Sequence, residues 1–162
     1  MVTEPLRKFS ILFVCHGNIC RSPSALAVMR TRAARAGLAE RFVLDSAGTS
    51  DCHAGEAPDR RADRAAGQRG YDLSGIRARR VTDDDFARFD LILVADRHNL
   101  ADLKRRCPAE YASRLCLMLD SLPAGAAREV PDPYYGGPSG FDHVLDLLED
   151  ACDAWLDRLR QP

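Results

Sequence analysis

The sequence lacks three features that would each have indicated a different class of protein. It has no apolar run long enough to span a bilayer, no signal-peptide core near its first residues, and no excess of charge of either sign. Its 23 Lys and Arg residues nearly balance its 24 Asp and Glu residues, so the formal net charge is −1. Because general nucleic-acid binders are basic, we expect no nucleic acid as partner. The lack of a spanning run and of a signal-peptide core leads us to expect a cytoplasmic globular protein with no membrane partner.

Cysteine is too sparse here for a disulfide scaffold. Six cysteines are spread over 162 residues, and no pair has the C-x-x-C spacing typical of a zinc site. Such cysteines fit thiols held in a reducing compartment. We therefore expect no metal and no cofactor. Since 46% of the residues are hydrophobic, we expect a single domain over residues 1–162 with a core of its own.

Hydrophobic runs alternate with helical patterns along the chain, which is typical of a parallel α/β sheet. Four runs predict strands, at 11–14, 42–46, 89–95 and 115–119. Apolar residues at helical spacing, with Gly or Pro at the ends, predict helices at 25–36, 58–70, 99–106 and 141–159.

A cysteine and an arginine, separated by five residues, follow the first predicted strand. Cys15 begins this loop and Arg21 ends it, and a helix is predicted to start with Ser22 as N-cap and Pro23 at its first position. Such a loop gathers backbone N–H groups, a guanidinium and a helix N-terminus around one point, which suits a tetrahedral dianion. The same donors favour the thiolate form of the cysteine. The pattern indicates a cysteine-dependent phosphatase.

A second candidate segment, 120–139, has four prolines, three glycines and no periodicity, which is typical of a functional loop. It follows the fourth predicted strand, so it starts at the sheet edge where Cys15 lies. Covalent cleavage of a phosphate ester also needs a proton donor that later activates water. Asp132, held between two prolines, is our candidate for both roles. Tyr134 and Tyr135 could wall a slot for a flat group.

Together these motifs resemble low-molecular-weight protein tyrosine phosphatases of the bacterial type, which carry Cys-x5-Arg-Ser near the N-terminus and Asp-Pro-Tyr near the C-terminus. The likeness covers almost the whole chain and includes the segments 45–49, 78–79 and 89–93. It implies an α/β fold, namely a four-stranded parallel sheet flanked by helices in a flavodoxin-like three-layer sandwich with an N-terminal phosphate-binding loop. It also implies hydrolysis of phosphotyrosine through a cysteinyl-phosphate intermediate.

The resemblance assigns roles residue by residue. Cys15 is the nucleophile, Arg21 the phosphate ligand and Asp132 the general acid, while the Ser22 hydroxyl eases departure of the thiolate. The phosphate-binding loop comprises His16, Gly17, Asn18, Ile19, Cys20, Arg21 and Ser22. Its support comes from Asn18 in the left-handed region, from Ser22, and from Ser46, to which Asn18 is tied. From its position at the end of a central strand, Asp96 is a candidate to orient either Arg21 or an adjacent loop.

The resemblance also predicts the substrate pocket, which comprises Ile19, Cys52, Tyr134 and Tyr135. Cys52 stands where many relatives have Trp or Tyr, so recognition of a phenolic ring is predicted to be relaxed or left to Tyr134. Ile76 stands where the family often has a His that supports the loop Asn, so that network is predicted to be rebuilt. In this family Ile at position 19 accompanies aryl phosphates, whereas Thr marks relatives that act on phosphoarginine.

The remaining cysteines suggest a redox role for Cys20 and an alternative enzyme class for the chain. Cys20 is implied to be a resolving thiol that protects Cys15 from irreversible oxidation, and Cys152 is expected to pack in the core. Thioredoxin-coupled arsenate reductases share the fold and pass oxidation to a further cysteine pair, for which Cys107 and Cys116 are candidates. A non-enzymatic phosphate-binding module is a third reading. The intact Asp-Pro-Tyr-Tyr segment favours the phosphatase. The resemblance also implies a monomer that acts on a phosphotyrosine protein, and a tyrosine kinase is one candidate for that protein.

Overall fold

The computed structural model describes residues 7–134, 136–137 and 139–160. Within them, four strands form one parallel sheet in the order β2-β1-β3-β4. The strands are β1 (Phe9–Cys15), β2 (Phe42–Gly48), β3 (Leu91–Val94) and β4 (Leu115–Leu117). The helices are α1 (Arg21–Arg35), α2 (Arg60–Gln68), α3 (Asp83–Arg88), α4 (Arg97–Arg106) and α5 (Ser139–Leu159). Short 3₁₀ helices occupy Ala39–Arg41, Ala109–Arg114 and Met118–Ser121.

Alternation along the central strand β1 produces the three layers. Ile11 and Phe13 lie in one cluster with apolar residues of α1 and α5, whereas Leu12 and Val14 lie in a second cluster with residues of α3 and α4. Successive side chains of a strand point to opposite faces, so both faces of the sheet are covered by helices. The predicted three-layer α/β sandwich is confirmed.

The start of α1 differs from the prediction. The helix begins at Arg21 with Cys20 as the flanking residue, and no side chain caps it. Ser22 is therefore inside the helix and not its N-cap. Its Oγ lies 3.0 Å from Cys15 Sγ, and its backbone N–H donates to the same sulfur at 3.4 Å. The end agrees with the prediction, since Gly37 adopts a φ of +73° just after the helix, as glycine does at that position.

Two further boundaries and one short helix differ from the prediction for local reasons. The fourth strand ends at Leu117 rather than at 119, because Asp120 accepts a hydrogen bond from the Leu117 N–H at 2.9 Å and turns the chain into a 3₁₀ helix. Helix α2 begins at Arg60 rather than at 58, since Asp59 is its N-cap. Helix α3 was missed because six residues are too few for periodicity, although its Thr82–Asp85 capping box is a readable signal.

The topology brings the ends of three strands to one edge of the sheet. Cys15 ends β1, Ala95 and Asp96 follow β3, and the segment 120–139 follows β4. The Val130 N–H donates to the Ala95 carbonyl at 2.8 Å, which fastens that segment beside β3. Among the described residues, no helix combines the length and the apolar character needed to cross a membrane.

Candidate active site

The loop between β1 and α1 is organised around the sulfur of Cys15. This side chain is 3% exposed and receives the Ser22 backbone N–H at 3.4 Å, with the Ser22 hydroxyl at 3.0 Å. The first N–H groups of a helix have no partner within it, and here the sulfur serves as one. The thiol therefore lies at the positive end of α1, where negative charge is stabilised.

Asn18 holds this loop in shape. Among the described residues it is the one non-glycine residue with positive φ, at +58°. Its Nδ2 donates to Ser22 Oγ at 2.7 Å and to Ser46 Oγ at 3.0 Å, and its Oδ1 accepts from the Arg79 N–H at 3.0 Å. The bond to Ser46 is the one that the resemblance implies. The backbone of Arg79 completes the network, while Ile76 packs in the core.

Arg21 is buried behind the loop and aimed by two groups distant in sequence. Its Nη1 donates to Asp96 Oδ2 at 2.7 Å and to the Val130 carbonyl at 3.0 Å, so one edge of the guanidinium is anchored. Its Nη2 lies 3.7 Å from Asp132 Oδ2. Burial by itself would lower the pKa of Arg21, but negative charge at Cys15 and the bond to Asp96 raise it. Arg21 is therefore a permanent cation at the floor of the site.

Asp132 is held at the mouth of the site by its own local turn. Its Oδ1 accepts the N–H of Tyr134 at 3.0 Å, an Asx-turn of the kind that Asp makes readily. Its side chain remains 48% exposed. The carboxylate is thus fixed near the Arg21 guanidinium yet open to solvent, which a group that exchanges protons with water requires.

The segment that carries Asp132 is tied to the protein body by another arginine. Arg128 donates to the carbonyls of Leu119, Leu122 and Pro123 at 2.6–3.1 Å. These carbonyls belong to the 3₁₀ helix Met118–Ser121 and to the two residues that follow it, so the bonds satisfy backbone acceptors at the end of that helix. Together with Val130, they fix the path of the segment before it reaches the site.

Cys15, Arg21 and Asp132 face one cavity of about 340 Å³. It is lined by Cys15, His16, Gly17, Ile19, Cys20, Arg21, Cys52, His53, Asp132 and Tyr134. Asn18, Ser22 and Ser46 do not line the cavity, and the hydrogen bonds among them support the loop. Tyr135, predicted to line the pocket, lies outside the described residues.

The cavity lining near Tyr134 includes a residue that the sequence analysis missed. The His53 ring lies against Gly17, so closely that a Cβ on Gly17 would be 2.9 Å from its Cδ2. The centroids of the His53 and Tyr134 rings are 6.3 Å apart, and His53 Nδ1 is 2.6 Å from Glu56 Oε2. An imidazole thus stands beside Cys52, where many relatives have an aromatic wall. The sequence feature that could have indicated this role is that His53 directly follows Cys52, which was predicted to line the pocket.

Arg61, to which the sequence analysis gave no role, contacts the Tyr134 ring at the rim. Its guanidinium lies 5.3 Å from the ring centroid of Tyr134 and 4.9 Å from that of Phe141, and Asp59 binds its Nη2 at 2.9 Å. Such cation–π contacts hold an exposed aromatic side chain in one orientation. Tyr134 is therefore supported from α2.

This arrangement suits covalent phosphate chemistry, and the comparison with known proteins identifies its family. Residues 10–162 match the model of the low molecular weight phosphotyrosine protein phosphatases. The chain belongs to this family. A protein of Synechocystis sp. is 49% identical over 150 residues, covering 92% of this chain and 95% of the relative. The low molecular weight protein-tyrosine-phosphatase of Streptomyces coelicolor is 40% identical over 156 residues, covering 94% of each.

Solved structures agree with the family match. The crystal structure of a protein tyrosine phosphatase from Entamoeba histolytica, with Hepes in its active site, superposes with a TM-score of 0.91 at 42% identity and covers 95% of this chain and 98% of that one. YfkJ from Bacillus subtilis superposes with a TM-score of 0.90 at 34% identity and covers 96% of both chains. The resemblance stated from the motifs is confirmed.

Cys107 and Cys116, the candidate pair for a reductase relay, lie apart from each other and from the cavity. Cys107 packs against the cluster on one face of the sheet and Cys116 against the cluster on the other, and neither lines the cavity. With the family match, this separation favours the phosphatase over the arsenate reductase. Among the described residues, no cluster of His, Cys, Asp and Glu is arranged to hold a metal ion.

Proposed function

We propose that this chain hydrolyses phosphotyrosine in proteins through a cysteinyl-phosphate intermediate, with the whole chain acting as one catalytic domain. The observation that carries the proposal is that Cys15, Arg21 and Asp132 line one cavity whose rim bears Tyr134 and His53. The loop would bind the dianion and the rim would receive the phenyl ring.

In the first step the thiolate of Cys15 attacks phosphorus, and the bond from phosphorus to the tyrosine oxygen breaks. The electron pair goes to the phenolic oxygen, which takes a proton from Asp132. Arg21 and the loop N–H groups stabilise the equatorial oxygens of the transition state.

In the second step Asp132, now a carboxylate, takes a proton from water as that water attacks phosphorus. The sulfur–phosphorus bond breaks, and its electron pair returns to Cys15 Sγ. The Ser22 hydroxyl, 3.0 Å from that sulfur, stabilises the departing thiolate by donating to it. Inorganic phosphate leaves, and the enzyme is restored with Asp132 protonated.

Leaving-group dependence tests this assignment. We expect Cys15→Ser to lose turnover of both p-nitrophenyl phosphate and phenyl phosphate. Asp132→Ala should lose about 10²–10⁴-fold on phenyl phosphate and less on p-nitrophenyl phosphate, whose leaving group needs little protonation. Equal losses on both substrates would contradict the acid role of Asp132.

The same assay separates the alternatives. Inactivity toward both esters, together with arsenate-driven consumption of thiol, would assign the chain to the reductases. Hydrolysis of phosphoarginine by the wild type in preference to phosphotyrosine would overturn the substrate assignment. Ile19, 8% exposed at the loop, is the residue on which that choice depends, so Ile19→Thr should raise phosphoarginine turnover.

The proposal includes a protective role for Cys20. Peroxide converts the Cys15 thiolate to a sulfenic acid with release of hydroxide. The Cys20 thiolate then attacks that sulfur and displaces hydroxide, which leaves a Cys15–Cys20 disulfide that thiols can reduce. Both residues line the same cavity, which supports the pairing.

A further inference from the structure

A second, more open groove of about 410 Å³ continues from the active-site cavity on the side of α2. The cavity and the groove share Ile19, His53 and Tyr134 as a common wall. From that wall the groove extends along residues 56–59 to Arg60. A tyrosine side chain bound in the cavity would leave its neighbours in the polypeptide at the entrance to this groove.

The charged side chains of the groove differ in what they already bind. Both oxygens of Asp59 accept hydrogen bonds from Arg61. Glu56 Oε2 lies 2.6 Å from His53 Nδ1. The Arg60 side chain is exposed and makes no hydrogen bond or ion pair with any described residue. Its guanidinium donors therefore remain available to a ligand.

The position of Arg60 also conflicts with local helix energetics. It is the first residue of α2, where the unpaired N–H groups favour an anion and disfavour a cation. Its neighbour Arg61 is compensated by Asp59, and Arg60 is not. A residue that breaks a local rule without compensation in the fold is expected at a functional position.

We infer that this groove receives the substrate polypeptide next to the phosphotyrosine and that Arg60 selects an acidic side chain there. The inference rests on the proposed function, because the phosphotyrosine must occupy the cavity. A carboxylate can accept two parallel hydrogen bonds from a guanidinium. Because the pair is exposed to solvent, the preference is modest, about two- to fivefold.

Phosphotyrosine peptides in which one flanking position at a time carries Glu or Gln test the inference. We compare kcat/KM for the wild type, Arg60→Glu and Arg64→Ala. Arg64 is an exposed arginine one turn further along α2 that does not line the groove. We expect the wild type and Arg64→Ala to favour Glu at one position by about two- to fivefold, and Arg60→Glu to lose or reverse this preference. Added salt should reduce it.

Turnover of p-nitrophenyl phosphate, which has no flanking residues, separates the two claims. If the wild type hydrolyses this ester and the peptides without preferring Glu at any position, the groove assignment is wrong and the proposed function stands. The assignment is equally wrong if Arg60→Glu keeps the preference. If the wild type hydrolyses neither the ester nor the peptides, both the function and the groove assignment fail.

Discussion

The phosphate-binding loop and the segment that carries Asp132 contribute to one site by opposite structural means. In the loop, Asn18, Arg21 and Ser22 are at most 3% exposed, and each makes several hydrogen bonds. In the segment, Asp132 is 48% exposed and is oriented by its bond to Tyr134. The loop is part of the core, whereas Asp132 lies on the rim of the cavity.

This difference implies that stability and catalysis are coupled in the first region and separable in the second. Breaking a buried network leaves polar groups unpaired, which lowers the free energy of unfolding as well as activity. Changing an exposed carboxylate leaves water to satisfy its neighbours. The following predictions test or sharpen that contrast, from the largest expected effect to the smallest.

Asp132→Asn should lower kcat by about 10²–10⁴-fold, since the amide cannot transfer the proton. The free energy of unfolding, measured by urea titration, should change by less than about 0.5 kcal/mol, because the side chain is exposed and the amide oxygen can still accept the Tyr134 N–H. A destabilisation well above that range would show that the rim is as integral to the fold as the loop.

Burial in the loop should make Cys20 a slow resolving thiol. Desolvation, with the nearby Asp59 carboxylate, raises the pKa of Cys20 to about 12, so its thiolate fraction grows about tenfold per pH unit below that value. After peroxide treatment, disulfide formation measured by mass spectrometry should accelerate by about a hundredfold between pH 7 and pH 9. Cys20→Ser should be inactivated irreversibly, and the control Cys52→Ser should behave as the wild type. A pH-independent rate would exclude Cys20 as the attacking thiol.

Asn18→Ala should affect both activity and stability. The change leaves Ser46 and the Arg79 N–H without a partner and places a Cβ-bearing residue without local support at φ +58°. We expect kcat/KM to fall by about 10- to 100-fold and the free energy of unfolding by about 1–3 kcal/mol. Asn18→Gly relieves the backbone strain alone, so recovery of full activity in Asn18→Gly would contradict the role of the hydrogen bonds.

Arg128→Lys should loosen the segment that carries Asp132 with a small cost elsewhere. A lysine keeps the charge but cannot reproduce the fork that bonds three carbonyls. We expect faster amide hydrogen exchange between residues 122 and 134, a two- to fivefold lower kcat/KM, and a loss of about 1 kcal/mol of stability. Unchanged exchange in this segment would mean that Val130 anchors it alone.

Much of the fold and the chemical centre of the site follows from short-range pattern. Cys15, Arg21 and the glycine and asparagine between them lie within seven residues, and the alternation of strands and helices predicts a parallel sheet that brings Asp132 to the same edge. The observed ends of helices and strands differ from the prediction where a side chain redirects the backbone. Asp120 ended β4 early, and Ser22 turned its hydroxyl to the sulfur instead of capping α1.

The contacts that aim the site depend on the tertiary structure. Arg21 is held by Asp96 and by Val130, which are 75 and 109 residues away, and Asn18 is completed by Arg79, 61 residues away. His53 lines the cavity because the connection between β2 and α2 packs the His53 ring against Gly17. The sequence by itself determined which residue types carry the chemistry, since local spacing encodes a strand, a turn and a helix. Only the packing of the sheet decided which distant groups orient them, because such pairings arise when chain segments far apart in sequence are buried together.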